Sequence, residues 1–284
     1  MRRKHKARAG ARCVTIVSAL LLLSLHPPVS CAELKIHFID VGQGDCILVQ
    51  CDYATMLVDA GPQDAGHAVN EYLKTVQGLS ALDLIVSTHA HDDHLFGMPD
   101  ALEGLSVGKV FAPAAVPMTY WFESVLPHLN QTGLELARPR EYETVTLGSA
   151  VVTFLNTLQT AENPNDLSLV LRIDYVNTSV LLTADIEGEA EMHLLNEQVP
   201  LKADVLKVAH HGGNTSTSEA FLNAVDPQYA VISVGAGNKH GHPHSEPLRY
   251  LEKRNITIYR TDQFGTVIAI SDGENWTFEV KKAR

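Results

Sequence analysis

The chain is poor in cysteine, has no apolar run of bilayer length, and carries no excess of positive charge. Each absence removes a class of protein. Of four cysteines, Cys13 and Cys31 lie in the first 32 residues, which leaves only Cys46 and Cys51 in the remainder. Those two stand in Cys46-Ile-Leu-Val-Gln-Cys51, a spacing that sends them to opposite faces of a strand and makes a mutual disulfide improbable without a bend. Two packed thiols are expected, and no disulfide scaffold is implied. The apolar run Val14 to Leu25 falls short of the about 20 residues that a helix needs to cross a bilayer. No internal repeat, low-complexity tract or linker follows residue 33, so residues 33–284 read as one domain.

The first 32 residues differ from the rest. Arg2, Arg3, Lys4, Lys6, Arg8 and Arg12 form a basic region, Val14 to Leu25 an apolar one, and Ser30-Cys31-Ala32 a small-residue cleavage site. Together they read as an export signal over 1–32, cut after Ala32, with the mature protein periplasmic or extracellular. Two alternatives stay open: lipid attachment at Cys31, with Pro28 where such sites usually carry Leu, and an uncleaved anchor. Six of the 22 basic residues and none of the 33 acidic ones lie in this segment, which leaves 16 against 33, a net charge of −17. A field of that sign repels polyanions and disfavours long nucleic acid as a partner. Small substrates are affected less.

What the chain does contain is chemistry at the ends of apolar runs. Leu82 to Ser87 reads as a buried strand, and it delivers Thr88-His89-Ala90-His91-Asp92-Asp93-His94. His89 and His91 are two apart, so an extended backbone points both to one side, where they can share a cation. Asp93 and His94 then face elsewhere, which suggests a second metal beside the first. The bland reading is a polar loop whose histidines cap a strand or helix. The density of ligand types in so few residues favours metal.

The pattern recurs downstream. Val180-Leu181-Leu182 ends in Thr183-Ala184-Asp185, where Asp185 also fits as the N-cap of a helix over 186–198. Asp204 to Ala209 delivers His210 and His211, followed by Gly212-Gly213-Asn214-Thr215-Ser216, whose small polar groups suit a helix cap or a bound oxyanion. Tyr229 to Val234 leads to Asn238-Lys239-His240-Gly241-His242-Pro243-His244, in which His240 and His244 read as solvent-facing turn residues. Asp40, Asp45 and Asp59 close earlier strands, either as turn-formers or as partners that hold a ligand imidazole. Helices are expected over 67–77 and over 119–131, the second interrupted at Pro127, and a polar loop over 163–166. Strands on both sides of helices imply an α/β sandwich with its ligands gathered along one rim.

Phe38-Ile-Asp-Val-Gly-Gln-Gly-Asp45, His89 to His94, Asn165-Asp-Leu-Ser-Leu-Val-Leu171, Leu182 to Asp185, Asp204 to Gly212 and Gly241-His-Pro243 together resemble the ComEC/Rec2-like branch of the metallo-β-lactamase superfamily. The resemblance covers about residues 34–271 and extends to exported phosphorylcholine esterases. It implies a four-layered αββα sandwich holding two metals. Carried over, His89 and His91 bind one metal, Asp93, His94 and His211 the other, and Asp185 bridges. Many members place a third histidine near Asn165. This chain has Asn165-Asp166 there, which weakens the first site, argues against β-lactam chemistry, and leaves Asp166 as a substitute ligand.

The expected activity is hydrolysis of a small phosphoester, above all a phosphodiester, by an exported dinuclear-metal enzyme. Two divalent ions would bring the pKa of a bridging water from about 16 toward about 7. Zinc suits the mixed N and O donors best, with manganese or iron as alternatives. Asp93 would orient the hydroxide, and His210 or His242 would protonate the leaving oxygen. Asn214, Ser216, Lys239 and His242 are candidate phosphate contacts. The rival readings are hydrolysis of a carbonyl substrate such as a lactone or β-lactam, and a non-catalytic surface protein that binds a ligand.

Overall fold

Runs such as Ile47-Leu48-Val49 and Val180-Leu181-Leu182 are apolar at every position, as strands buried on both faces must be. The computed structural model describes residues 33–281 and shows where each face goes. The export signal expected over 1–32 lies outside the described residues. The strands are β1 (Leu34–Phe38), β2 (Ile47–Cys51), β3 (Ala54–Val58), β4 (Ala81–Val86), β5 (Ser106–Phe111), β6 (Glu135–Ala137), β7 (Thr144–Leu147), β8 (Ala150–Asn156), β9 (Val170–Tyr175), β10 (Thr178–Leu182), β11 (Val205–Lys207), β12 (Tyr229–Ile232), β13 (Thr257–Arg260), β14 (Thr266–Ser271) and β15 (Trp276–Lys281). The helices are α1 (Gly66–Glu71), α2 (Asp92–Leu95), α3 (Met98–Ala101), α4 (Gly188–Asn196), α5 (Glu219–Val225), α6 (Ser245–Lys253) and α7 (Thr261–Phe264).

Two sheets form, in the orders β15-β14-β1-β2-β3-β4-β5-β6 and β13-β12-β11-β10-β9-β8-β7. Their facing sides share one core, in which Phe38, Val49 and Met56 meet Phe154, Leu171 and Val180. The alternate residues point outward. Leu48, Leu57 and Ile85 pack under Val69, Met98 and Trp121, while Leu181, Leu206 and Ile232 pack under Leu194, Phe221 and Leu251. The result is the four-layered αββα sandwich. Each large apolar side chain buried in it contributes about 1.5 to 3 kcal/mol. Cys46 and Cys51 are free and buried, in different core layers, as their spacing requires.

β3, β4, β5 and β6 run parallel, as do β10, β11, β12 and β13. Successive parallel strands present their C-terminal ends to the same rim. That register is what lets segments remote in sequence meet.

Several local expectations change. The helix over 119–131 appears as a π-helical turn, Tyr120–Val125, and a 3₁₀ turn, Leu126–His128. Pro127 has no amide proton to continue an α-helical ladder. The loop over 163–166 contains the 3₁₀ turn Pro164–Leu167. β6 and β15 were not anticipated. β15 is an antiparallel edge strand that alternates half-buried and exposed residues from Trp276 to Glu279 and is exposed beyond.

Candidate metal centre

The rim carries its donors on strand tips from both sheets. From the first sheet, β3 ends at Asp59, and β4 leads through Thr88 and His89 into α2, which bears Asp93 and His94. From the second, β10 leads to Asp185 and β11 to His210 and His211. Gly44 lets the loop before β2 close on α2, because a Cβ there would lie 2.1 Å from the Asp93 carbonyl oxygen. Gly212 does the same for the second sheet, where a Cβ would meet Pro243 at 2.6 Å.

Behind the donors is a closed hydrogen-bonded wall. Asp59, with 0% exposure, accepts from the Thr88 amide at 2.8 Å, the Thr88 hydroxyl at 2.6 Å and His94 Nδ1 at 2.8 Å. Since the Thr88 hydroxyl donates to Asp59, it accepts from His89 Nδ1, 3.0 Å away. His211 Nδ1 donates to the Ser233 carbonyl at 2.9 Å. All three imidazoles therefore carry their proton on Nδ1 and turn Nε2 to the same side.

There the geometry is open. Nε2 of His89, His94 and His211 and Oδ1 of Asp185 are buried with no hydrogen-bond partner. Asp185 Oδ2 lies 3.3 Å from His94 Nε2 and 3.4 Å from His211 Nε2, which is 3.4 Å from Asp93 Oδ2. Two donors each about 2.0 to 2.1 Å from a tetrahedral ion stand about 3.3 Å apart. Asp93, His94, Asp185 and His211 thus match the edge of a coordination shell. His89 and His91 sit beside them with ring centres 4.7 Å apart.

The electrostatics call for a cation. Burial pushes His211 down, but Asp185, Asp93 and Asp45 push it up and win, so it titrates at about 9. Burial likewise opposes charge on His94, yet Asp185 and Asp59 hold it well above the ordinary histidine range. Asp93 and Asp185 are held below the carboxylate range by these imidazoles in spite of burial. His89 is pushed well down by burial and by its charged neighbour His94. Its Nε2 is a free lone pair.

The structure assigns different tasks to other expected residues. Asp166 does not join the cluster. Its Oδ1 accepts from the amides of Glu187 at 2.7 Å and Ala190 at 3.1 Å, and so ties the 3₁₀ turn to the start of α4. Asp185 is not the cap of that helix, because Glu187 occupies the N-cap position. Ser216 is buried and spends its hydroxyl on the Ala209 and Gly213 carbonyls. Asn214 is exposed and donates its amide to His244 Nδ1 at 3.1 Å, so neither residue lines the cleft. Asp40 forms a turn, accepting from the Gly42 amide.

His91, Asp93, Asp185, His210, His211, Lys239 and His242 line a cleft of about 610 Å³ with Asn165. His210 adopts left-handed φ and ψ of 48° and 45°, a costly conformation for a non-glycine residue. Burial lowers its pKa, and burial with four neighbouring imidazoles brings His242 to about 4. Both rings are then neutral at pH 7, which runs against the proton-donor role expected of them. Sequence reasoning missed Glu187, whose Oε1 accepts from Asn165 Nδ2 at 2.7 Å and lies 3.1 Å from His210 Nδ1. It also missed Lys207, a charge inside an apolar strand.

An αββα sandwich with imidazoles and carboxylates converging on unpaired atoms at one rim is the architecture of a metal-dependent hydrolase. Residues 39–236 match the family model of the metallo-beta-lactamase superfamily, and the chain belongs to that family. ComE operon protein 3 of Bacillus subtilis (strain 168) is 31% identical over 278 residues, 91% of this chain and 35% of that protein. Competence protein ComA of Neisseria gonorrhoeae is 28% identical over 235 residues, 80% of this chain and 31% of that protein. The chain thus spans about a third of these curated relatives. Among solved structures, the metallo-beta-lactamase fold protein YhfI from Bacillus subtilis aligns with a TM-score of 0.54 at 15% identity, over 84% of this chain and 100% of that one. That likeness shows the fold alone.

Proposed function

We propose that the chain is an exported phosphodiesterase that works with two divalent ions, zinc above all. The observation that carries this reading is the set of buried, partnerless atoms, His89 Nε2, His94 Nε2, His211 Nε2 and Asp185 Oδ1, at an open cleft. His89, His91 and Asp185 would hold one ion, and Asp93, His94, His211 and Asp185 the other. When bound, two such ions acidify water and offset charge growing on phosphoryl oxygens.

The chain's own residues do the rest. Lys239 at the mouth draws in an anionic group, and Asp93 orients the attacking water. His210 and His242, neutral at pH 7, accept hydrogen bonds or a proton from that water. Water attacks phosphorus, the bond to the leaving oxygen breaks, that oxygen takes up the proton the imidazole removed from water, and a phosphomonoester and an alcohol depart. The substrate class is small. The cleft lining contains no Phe, Tyr or Trp, the platform on which single-stranded nucleic acids stack. The mature charge of −17, from 16 basic and 33 acidic residues, opposes a polyanion.

Nucleic acid is the second reading, favoured by relatives named for competence and for recombination. Metal analysis of purified protein, coupled to a panel of phosphomonoester, phosphodiester, DNA and a chromogenic cephalosporin, decides between them. Cleavage of bis-p-nitrophenyl phosphate that is lost in His91→Ala and Asp185→Asn is expected. Full activity in both variants would remove the proposed site, and steeply salt-suppressed DNA cleavage would replace the small substrate. Among the described residues no helix is long and apolar enough to cross a membrane. N-terminal sequencing of the mature protein tests export and the cut after Ala32.

A further inference from the structure

Lys207 is fully buried, with 0% exposure, and its Nζ lies 2.5 Å from Asp45 Oδ2. Strand alternation puts it there. Val205, two residues earlier, points into the core between the sheets, and Lys207 follows it. An ammonium in such surroundings is costly unless paired. Its partner is in the same position: Asp45 is 2% exposed and its Oδ1 has no hydrogen-bond partner.

The pair stands directly behind the metal centre. Asp45 Oδ1 is 3.6 Å from His211 Nδ1, and Oδ2 is 4.0 Å from His94 Nδ1. Asp45, Asp59 and His94 each offer a donor atom within 4.8 Å of the others. That is a second group with the spacing to hold a cation, back to back with the first across the His94 ring.

We propose that the Lys207 ammonium is the resident cation of this rear group, and that it keeps divalent metal off the Nδ1 edge of His94. The inference rests on the two-metal reading of the cleft. A neutral imidazole has one lone pair, so His94 can serve a metal on one side only. A divalent ion behind it would take Nδ1 and Asp59 and so break the 2.8 Å bond by which Asp59 orients the ring. An ammonium pairs with the Asp45 carboxylate without competing for that nitrogen. Carried on the chain, it also cannot be outcompeted by dilution.

The test counts bound zinc per chain by atomic spectroscopy in the wild type, Lys207→Ala, Lys207→Met and the Lys207→Ala/Asp45→Asn double variant, with zinc titrated into the phosphodiesterase assay. Lys207→Ala is expected to retain one zinc more per chain than the wild type, and excess zinc should inhibit it over a range in which the wild type is constant. The double variant should return to the wild-type count. Lys207→Met, which keeps the stem and loses the charge, should show the same zinc inhibition and a larger zinc-dependent rise in melting temperature than the wild type. Folded variants with the wild-type count and zinc response would overturn the proposal, as would variants whose melting zinc does not raise. A wild type that holds no zinc would instead strike the two-metal reading.

Discussion

The two sides of the His94 ring obey opposite rules. On the rear side all three ring nitrogens are matched: Asp59 holds His94 and Thr88, Thr88 holds His89, and Ser233 holds His211. On the front side the corresponding nitrogens and a carboxylate oxygen have no hydrogen-bond partner although buried. A protein core normally satisfies such groups. The contrast teaches that the wall is built for stability and the face for a ligand, and that the wall chooses which nitrogen the face presents.

The front should be the more sensitive in activity. Asp185→Ala removes the carboxylate oxygen that lies 3.3 Å from His94 Nε2 and 3.4 Å from His211 Nε2. It is expected to lower the kcat of the proposed phosphodiesterase activity by about 10³-fold or more, as loss of a group acting as part of a unit does, with metal content falling in parallel. Retained metal and kcat would erase the distinction between face and wall. The rear should dominate stability. Asp59→Ala strands three donors and is expected to cost about 3 to 5 kcal/mol in denaturant melts, with metal affinity down about 10- to 100-fold in chelator competition. A neutral result would show that the wall is not holding the rings.

The pH dependence separates the two sides again. His211 titrates at about 9 in the folded chain against an ordinary 6.5. Its raised value gives stability that is fully present below about 6.5 and lost as pH rises through about 9. For metal-free protein that amounts to on the order of 3 kcal/mol, seen as a falling melting temperature from pH 6 to 9. Metal-loaded protein, with no proton on that nitrogen to lose, should lack the decline. Smaller effects lie at the edges of the cleft. Ser216→Ala loses the hydroxyl proton shared between the Ala209 and Gly213 carbonyls and should destabilise by about 1 to 2 kcal/mol with KM unchanged, whereas a substrate contact would raise KM. Lys239→Ala, at an exposed position, should raise KM by a factor of about 2 to 5 with kcat held, the size of a screened surface charge.

Which of these groups could be read from residues alone follows the same division. The face was legible: imidazoles and carboxylates arriving after apolar runs at 89–94, 185 and 210–211 are a short-range pattern, and the parallel register explains why the runs end together. The wall was half legible. Asp59 was a candidate partner, but nothing local separated it from Asp40, which only closes a turn. Lys207 had a signal in its parity, since it shares a face with Val205. Glu187 had none, because its contacts with Asn165 and His210 depend on three loops meeting. Ser216 misled for the opposite reason: a hydroxyl in a polar loop looks available until burial uses it. β15 could have been found from the alternation of Trp276, Phe278 and Val280.

His94 comes from one sheet and His211 from the other, 117 residues later, yet both stand within 3.4 Å of the same Asp185 oxygen. A single ion gripping both would close a loop of that length and act as a cross-link. Closing a loop of roughly a hundred residues removes on the order of 5 kcal/mol of chain entropy from the unfolded ensemble. Two free thiols in separate core layers cannot supply such a tie, so in this chain a coordinated ion would do the work that a disulfide does elsewhere.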